Sequence, residues 1–222
     1  EDHLVEIGTG WGGMAIYAAE HYQCRVTTTT ISKEQFDYAV EAVKKRGLQD
    51  RITVLFDDYR DLEGQFDKLV SIEMIEAVGH QFYDTYFGTL SRLLKPDGKA
   101  VIQSITMTDQ RYEQARDAVD FIKRYIFPGG CLPSLNVISN AVANVTDMQL
   151  SGLRDITRDY ADTLQDWHDT FLTQLDQVRA MGFDDRFIRM WRYYLSYCEG
   201  GFRERIIGTY QITMTKPYYR PN

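Results

Sequence analysis

A glycine-rich turn near the beginning of the chain constrains the fold more than any other feature. Residues 6–13 read EIGTGWGG and lie between an apolar run at residues 4–8 and a helical pattern at residues 11–22. A turn of this kind, between the first strand and the first helix of an open α/β sheet, is where such a sheet binds its ligand. The segment therefore predicts an α/β fold with a nucleoside-type ligand at the carboxyl end of the first strand.

Short apolar runs alternate with helical patterns along the chain. This alternation is typical of βαβ units, which form a mostly parallel sheet with helices on both faces. The helix predicted for residues 32–46 has the clearest boundaries, because Ser32 and Gln35 can form a capping box and Gly47 terminates the pattern. Strands are predicted for residues 4–8, 25–30, 52–56, 66–72, 99–105, 149–157 and 206–215, and further helices for residues 11–22 and 83–94.

The pattern changes after the fifth predicted strand. A charged helical stretch at residues 112–125 is followed by residues 127–134, in which two prolines and two glycines exclude a regular element. A long insertion in a compact α/β domain is typical of a lid or a binding loop, so we expect a lid over about residues 107–147. Two amphipathic helices are predicted after it, one beginning at Tyr160 and one over residues 187–199.

Composition limits the organisation and the partners of the chain. The 222 residues contain no repeat or linker, which predicts one catalytic domain over residues 1–222. Because the chain opens directly on a strand, we expect the N-terminal region of its parent protein to be absent here. A formal charge of −7 argues against nucleic acid as a partner. Three cysteines without a C-x-x-C pair, and no apolar stretch of membrane-spanning length, predict a cytoplasmic protein without a transmembrane segment.

Two features of the glycine-rich turn favour S-adenosylmethionine (SAM) over a dinucleotide as the ligand. Glu6 precedes Gly8 by two positions, as in the E/D-x-G-x-G-x-G turn of SAM-dependent methyltransferases. The second strand ends in four threonines, whereas a dinucleotide fold places an acidic residue there to bind a ribose hydroxyl. After the third strand, Asp58 offers a carboxylate to an adenine amino group and Tyr59 offers an aromatic face. The predicted cofactor-binding residues are Glu6, Gly8, Thr9, Gly10, Trp11, Gly12, Thr30, Ser32, Gln35, Asp58 and Tyr59.

Motifs outside the glycine-rich turn carry a family resemblance. They are TISKEQ at residues 30–35, DYRDL at 58–62, SIEMIEAVG at 71–79, YIFPGGCLPS at 125–134 and YYLSYC at 193–198. With these motifs, nearly the whole chain resembles the cyclopropane-fatty-acyl-phospholipid synthase and mycolic acid cyclopropane synthase family. The resemblance implies the catalytic domain of a SAM-dependent methyltransferase (EC 2.1.1) with a Rossmann-like class I fold, a mostly parallel seven-stranded sheet and a lid insertion.

The resemblance also implies a reaction and its catalytic residues. In this family the SAM methyl group adds across the cis double bond of an unsaturated phospholipid acyl chain, a carbocation forms, and proton loss closes a cyclopropane ring. By motif, Glu76, Tyr160 and the backbone of Ile105 correspond to groups that hold a bicarbonate ion, which takes the proton. Gln103 stands where the family has a histidine, and it cannot carry the charge that would hold an anion strongly. Cys198 is carried over as a catalytic residue from the YYLSYC segment.

The departure at Gln103 leaves several outcomes open. We favour ring closure, with SAM and bicarbonate as ligands, over a methyl-branched product, methylation of a small molecule, or a catalytically inactive lipid-binding domain. The structural alternatives are a packed core thiol for Cys198 and a packing role at the start of a helix for Tyr160. The four histidines show no metal-ligand spacing, so no metal site is predicted.

An acidic chain that acts on phospholipids must meet the bilayer through apolar or locally basic patches, and residues 123–127 (KRYIF) are the candidate. We therefore expect peripheral association with the inner face of the membrane. The oligomeric state is left open, with a homodimer among the alternatives. Aromatic residues make up 13% of the chain, and aromatic faces stabilise a carbocation without bonding to it. The candidates for that role are Tyr17, Tyr59, Tyr125, Phe127 and Tyr160.

Overall fold

The structure is a computed structural model, and it describes residues 2–221. Its strands are β1 (His3–Ile7), β2 (Arg25–Thr29), β3 (Ile52–Leu55), β4 (Phe66–Ile72), β5 (Leu94–Met107), β6 (Gln149–Asp155) and β7 (Ile207–Thr215). Its α-helices are α1 (Gly13–Tyr22), α2 (Lys33–Lys45), α3 (Tyr83–Leu93), α4 (Tyr112–Asp117), α5 (Phe121–Tyr125), α6 (Leu135–Val145), α7 (Thr157–Thr173), α8 (Leu175–Ala180) and α9 (Asp185–Arg203).

All these strands belong to one seven-stranded sheet with the order β3-β2-β1-β4-β5-β7-β6. The strands β1 to β5 are parallel, whereas β7 runs antiparallel to β5 and to β6. The carboxyl ends of the parallel strands therefore meet at one edge of the sheet. The strand order reverses between β1 and β4, and an open α/β sheet binds its ligand at such a point. The predicted mostly parallel, seven-stranded α/β fold is confirmed.

Strand β5 is the predicted strand whose boundaries differ most from the structure. It begins at Leu94 rather than at residue 99, because residues 96–98 form an irregularity inside the β4–β5 ladder rather than a turn before the strand. Leu94 pairs with Phe66, the register then shifts, and Lys99 pairs with Lys68.

The helices after β5 also differ from the prediction. The helix predicted for residues 112–125 is divided into α4 and α5, because Ala118 and Asp120 adopt extended conformations. Asp120 begins the second helix by accepting a hydrogen bond from the backbone N of Lys123 at 2.9 Å. The first of the two predicted C-terminal helices breaks at Gln174 into α7 and α8.

Hydrophobic clusters cover both faces of the sheet. The main cluster joins β1, β4 and β5 to α3 and α6, and the second packs α1 and α2 against β1, β2, β3 and β4. Helix α6 was not predicted and lies inside the predicted lid, yet it contributes Ile138, Ala141 and Val142 to the main core. The segment at residues 135–145 is therefore part of the domain core, and the lid stays a prediction for residues 107–134.

A third hydrophobic cluster places the C-terminal helices over the end of β5. Its buried members are Ala161 and Leu164 of α7 and Leu195 and Phe202 of α9, and predicted catalytic residues pack against them. Among residues 2–221, no helix combines the length and the apolar character that a membrane crossing requires.

Candidate active site

The glycine-rich turn is anchored to the end of β2. The backbone N atoms of Gly8 and Thr9 both donate to the carbonyl oxygen of Thr29, at 3.2 and 3.0 Å. Gly10 has a φ of +53°, a left-handed conformation that favours glycine, and a Cβ added there would meet no atom within 4 Å. Gly12 ends the turn as the N-cap of α1. The turn therefore presents open backbone at the sheet edge, where a ligand can approach closely.

Glu6 is the buried acid of this turn. Its side chain is 3% exposed, and the hydroxyl of Thr28 donates to its Oε2 at 2.7 Å. The hydroxyl of Thr9 lies 2.7 Å from that of Thr28, so Thr9 supports the acid from within the protein. Burial raises the pKa of Glu6 to about 7. A nearby cation favours the charged form of such an acid. The Glu6 carboxylate therefore fits the positively charged ammonium and sulfonium groups of SAM.

The predicted cofactor residues that follow β2 hydrogen-bond to one another. The hydroxyl of Thr30 donates to Oε1 of Gln35 at 3.0 Å and accepts from the backbone N of Ser32 at 3.1 Å. Ser32 caps α2 by accepting from the backbone N of Gln35 at 3.3 Å, so one half of the predicted capping box forms. Trp11 is 59% exposed and lies edge-to-face with Tyr38, with ring centroids 5.3 Å apart. Contacts from these side chains to a cofactor stay a prediction.

Asp58 and Tyr59 already have partners within the chain. The Arg60 guanidinium donates to both carboxylate oxygens of Asp58, at 2.9 and 2.7 Å, and these bonds lower the pKa of Asp58. The ring of Tyr59 packs edge-on against buried Tyr86, with centroids 5.8 Å apart. The adenine-binding role of this pair stays a prediction, and Arg60 competes for the carboxylate.

Glu73 is the central residue of the site, and sequence analysis assigned it no role. It follows β4 directly, and its backbone N donates to the carbonyl oxygen of Gln103 at 2.8 Å. The hydroxyl of Tyr160 donates to Oε2 of Glu73 at 2.7 Å, and Nε2 of Gln103 donates to Oε1 at 2.8 Å. Gln211 donates to Oε1 of Gln103 at 3.1 Å, which fixes the orientation of that amide. One sequence signal could have identified Glu73 as a candidate site residue, namely its position as a carboxylate immediately after a buried parallel strand.

Glu76 lies one turn further along the same segment. The backbone N of Ile105 donates to its Oε1 at 2.6 Å. Its Oε2 is buried and has no hydrogen-bond partner among the described residues. Burial raises the pKa of Glu76 to about 7, and the charge of Glu73 contributes to the shift. The structure thus brings together four of the predicted catalytic residues, namely Glu76, Gln103, Ile105 and Tyr160.

The glycine-rich turn and this carboxylate segment are direct neighbours. A Cβ added to Gly8 would lie 3.3 Å from Cγ of Met74, the residue that follows Glu73. The hydroxyl of Ser71 in β4 also donates to the carbonyl oxygen of Ile7 in β1 at 2.9 Å. The predicted cofactor site and the predicted catalytic site therefore share one edge of the sheet.

Bicarbonate does not fit the site as it is built. The hydrogen-bond donors at the predicted bicarbonate position already donate to carboxylates of this chain, because Tyr160 and Gln103 bind Glu73 and the backbone N of Ile105 binds Glu76. A carboxylate already held at this position also repels a further anion, and Gln103 supplies no positive charge to offset that repulsion.

Cys198 lies in the third cluster, beside Tyr160 and Tyr194, as a partly buried residue. Burial, with a contribution from Asp120, raises the pKa of the Cys198 thiol to about 12. The thiol therefore stays protonated near neutral pH, which favours the packing role, while its catalytic role stays a prediction. In residues 2–221, no group of three or more His, Cys, Asp or Glu side chains is arranged to hold a metal ion.

The proline- and glycine-rich loop at residues 126–134 is attached to the same site. The backbone N of Cys131 donates to the carbonyl oxygen of Glu76 at 2.8 Å, and the hydroxyl of Tyr83 donates to the carbonyl of Cys131 at 2.8 Å. Phe127 contacts the ring of Tyr194 edge-on, with centroids 6.2 Å apart. The loop thus connects the Glu76 segment to helix α9.

The sequence of residues 1–212 matches the family model described as mycolic acid cyclopropane synthetase. The chain belongs to this family. Tuberculostearic acid methyltransferase UfaA1 of Mycobacterium tuberculosis is 39% identical over 96% of this chain and 50% of its own length. Cyclopropane-fatty-acyl-phospholipid synthase of Escherichia coli is also 39% identical, over 96% of this chain and 53% of its own length. The chain therefore spans about half the length of the curated relatives it matches.

Solved structures agree with this assignment. The cyclopropane synthase MmaA2 from Mycobacterium tuberculosis has a TM-score of 0.87 and 25% identity, over 97% of this chain and 78% of that chain. Mycolic acid cyclopropane synthase CmaA1, complexed with SAH and CTAB, has a TM-score of 0.88 and 27% identity over the same shares of the two chains. The predicted family, the class I methyltransferase fold and SAM as the cofactor are confirmed.

Proposed function

We propose that this chain transfers the SAM methyl group to the cis double bond of an unsaturated phospholipid acyl chain, with proton loss and cyclopropane ring closure. The observation that carries the proposal is the contact between the two halves of the site. A Cβ on Gly8 of the cofactor turn would lie 3.3 Å from Met74, which separates Glu73 from the Glu76 segment. This contact supports a reaction in which the methyl donor and the proton acceptor lie at one sheet edge, as ring closure requires.

Each half of the site has a separate task in this reaction. When bound, SAM supplies an electrophilic methyl group, to which the π electrons of the alkene form a bond as the C–S bond breaks. Glu6 lies buried beneath the glycine-rich turn and balances the positive charge of the cofactor. The carboxylate segment after β4 receives the proton that leaves the added carbon.

Aromatic rings pack beside Tyr160, whose hydroxyl binds the carboxylate half of the site. Tyr160 packs against Phe202 with centroids 4.7 Å apart, and Tyr194 contacts both Phe127 and Trp191. Aromatic faces stabilise a carbocation without capturing it, so these rings suit the intermediate of the proposed reaction. Two other candidates for this role pack elsewhere: Tyr17 stacks on His21 of α1, and Tyr59 packs on Tyr86.

The segment at residues 119–127 is the proposed contact with the inner face of the bilayer. Val119 is 74% exposed and Phe127 is 57% exposed. Lys123 donates to the backbone carbonyl oxygens of Ala115, Arg116 and Ala118, at the end of α4, so Arg124 supplies the cationic part of the patch. If this segment binds lipid, replacing Val119 and Phe127 by Asp lowers co-sedimentation with anionic phospholipid vesicles, and unchanged co-sedimentation refutes the assignment.

A methyl-branched product is the second candidate, and one feature of the site favours it. Gln103 carries no charge, and its amide is fixed between Glu73 and Gln211, so proton removal differs from that in a site with a histidine. Relatives named for both kinds of product, a tuberculostearic acid methyltransferase and a cyclopropane-fatty-acyl-phospholipid synthase, are equally similar to this chain at 39% identity.

The test is to incubate the protein, expressed from its complete open reading frame, with vesicles of unsaturated phospholipid and methyl-labelled SAM. Mass spectrometry of the released acyl chains then identifies the product. A labelled chain that gains one CH2 and loses its double bond supports ring closure, and a labelled saturated methyl branch favours the second candidate.

Calorimetric titration with SAM separates an inactive domain from an enzyme. Gly10→Asp is the control, because it fills the open backbone at the turn with a side chain and should abolish binding. A folded wild-type protein that does not bind SAM contradicts both enzymatic candidates, and it leaves the catalytically inactive lipid-binding domain.

A further inference from the structure

The backbone at Glu73 has a conformation that non-glycine residues rarely adopt. Its φ is +52°, and the other non-glycine residues with positive φ in the described chain are Gln23 and Arg205. Gln23 directly follows α1 and Arg205 lies two residues after the end of α9, and a left-handed residue is common at such helix ends. Glu73 instead follows a parallel strand at the sheet edge that carries the cofactor turn. Strained residues at such places cluster at functional sites.

The strained backbone delivers a carboxylate to donors from two other elements. Tyr160 of α7 binds Oε2 of Glu73, and Gln103 of β5 binds Oε1. These donors are the ones that a bicarbonate ion would need. Glu73 thus occupies with its own side chain the position that an external anion would take.

We infer that Glu73 is the proton acceptor of ring closure in this protein, and that its carboxylate makes bicarbonate unnecessary. This inference rests on the proposed function. In the step, a C–H bond of the added methyl group breaks, its electron pair forms the third bond of the ring at the cationic carbon, and the proton moves to a Glu73 oxygen. A carboxylate oxygen that accepts one hydrogen bond keeps a second lone pair for that proton.

Glu76 complements Glu73 rather than replacing it. Its Oε1 is held by the backbone N of Ile105, and its Oε2 is enclosed without a partner in the described part of the chain. The pKa of Glu76 is raised to about 7, so a large fraction of this residue is protonated at neutral pH. Because Glu76 is then largely neutral beside the Glu73 carboxylate, the site does not hold two full negative charges.

The experiment compares wild type with Glu73→Gln and Glu73→Gly in CO2-free buffer, with added bicarbonate as the variable. Wild type is expected to form product at the same rate with and without bicarbonate. Glu73→Gln should lose at least about 100-fold in rate, since it keeps the shape of the side chain and removes the base. The rate of Glu73→Gly should fall by as much. Added bicarbonate should raise the rate of this variant by about 10-fold or more, because Tyr160 and Gln103 become free to bind the ion.

Matched variants separate chemistry from folding. Gln23→Gly makes the same backbone change at another positive-φ position, and Glu41→Gln removes an exposed carboxylate; both should leave the rate unchanged. Thermal melting and SAM titration establish that the Glu73 variants fold and bind the cofactor. Wild-type turnover that depends on bicarbonate, or a Glu73→Gln variant of wild-type rate, overturns the inference.

Binding of 13C-bicarbonate, followed by NMR line broadening, provides a readout that needs no turnover. Glu73→Gly should bind the ion and wild type should not, and binding by wild type overturns the inference. If wild type transfers methyl groups but does not need Glu73, only the acceptor role fails. If wild type forms no lipid product at all, the proposed function fails and the acceptor role fails with it.

Discussion

Tyr160 joins helix α7 to the turn after β4, because its hydroxyl donates to Oε2 of Glu73 at 2.7 Å across 87 positions of the chain. This bond makes the C-terminal helices part of the candidate active site. Burial and the carboxylate both raise the pKa of Tyr160, so the hydroxyl keeps its proton and stays a donor.

Replacing Tyr160 with Phe should weaken both stability and activity. The variant removes a hydrogen bond to a charged group, so we expect a loss of about 2 kcal/mol in the free energy of unfolding. Glu73 also loses one of its two positioning donors, and product formation should fall by about 10-fold or more. Urea denaturation and product analysis measure the two effects. Tyr22→Phe, at an exposed tyrosine of α1, is the control, and equal losses in both variants contradict the assigned contact.

Glu76 should make the stability of the protein depend on pH. Its pKa rises on folding from 4.5 to about 7, so the native state binds more protons than the unfolded chain in that window. The free energy of unfolding therefore falls by about 3 kcal/mol as the pH increases from about 4.5 to about 7. Glu76→Gln keeps an acceptor for the backbone N of Ile105 and should remove this part of the slope. Denaturation curves across the window test it, and an unchanged slope in the variant refutes the raised pKa.

Binding of SAM should release protons through Glu6. The pKa of Glu6 is about 7 in the protein without ligand, and the positive charge of SAM should lower it. We expect release of about half a proton per SAM near neutral pH, measured by titration calorimetry in buffers of different ionisation enthalpy. Glu6→Gln should release none and should bind SAM about 10-fold more weakly. Glu41→Gln serves as the control, and equal proton release in all three proteins would exclude Glu6 as the source.

The thiol of Cys198 should react slowly with alkylating reagents. Its pKa is raised from 9.0 to about 12, and the thiolate is the reactive form. We expect labelling by iodoacetamide at mildly alkaline pH to be about 100-fold or more slower than for free cysteine. Mass spectrometry identifies the labelled residue, with Cys198→Ala as the blank. Rapid labelling at this position would instead support a catalytic thiol.

Much of the sheet could be predicted from the sequence, because buried parallel strands are continuous apolar runs that stand out between helical patterns. The site residues Glu76, Gln103, Ile105 and Tyr160 could be placed through the family resemblance, and the structure brings them together. Helix α6 was missed because the prolines and glycines before it suggested a continuous loop. Its buried face becomes visible only when α3 packs beside it.

Other details depend on contacts that local sequence patterns do not encode. The hydrogen-bond donors to the Glu73 side chain are distant in the sequence, since Gln103 lies 30 residues away and Tyr160 lies 87 residues away. The pairing of Asp58 with Arg60 depends on a side-chain conformation. The sequence could therefore suggest a carboxylate at position 58 but not that Arg60 already binds it. The positive φ at Glu73 is likewise set by tertiary contacts, since glutamate itself does not favour it.

The left-handed backbone at position 73 also has an evolutionary consequence. Glutamate and glycine codons differ by a single nucleotide, and glycine adopts a φ of +52° without strain. If Glu73 is the proton acceptor, one point mutation exchanges a carboxylate carried by the chain for a space that an anion from solution can fill. The exchange toward glycine relieves the backbone strain at this position, whereas the reverse exchange requires the contacts of the glutamate side chain to offset it.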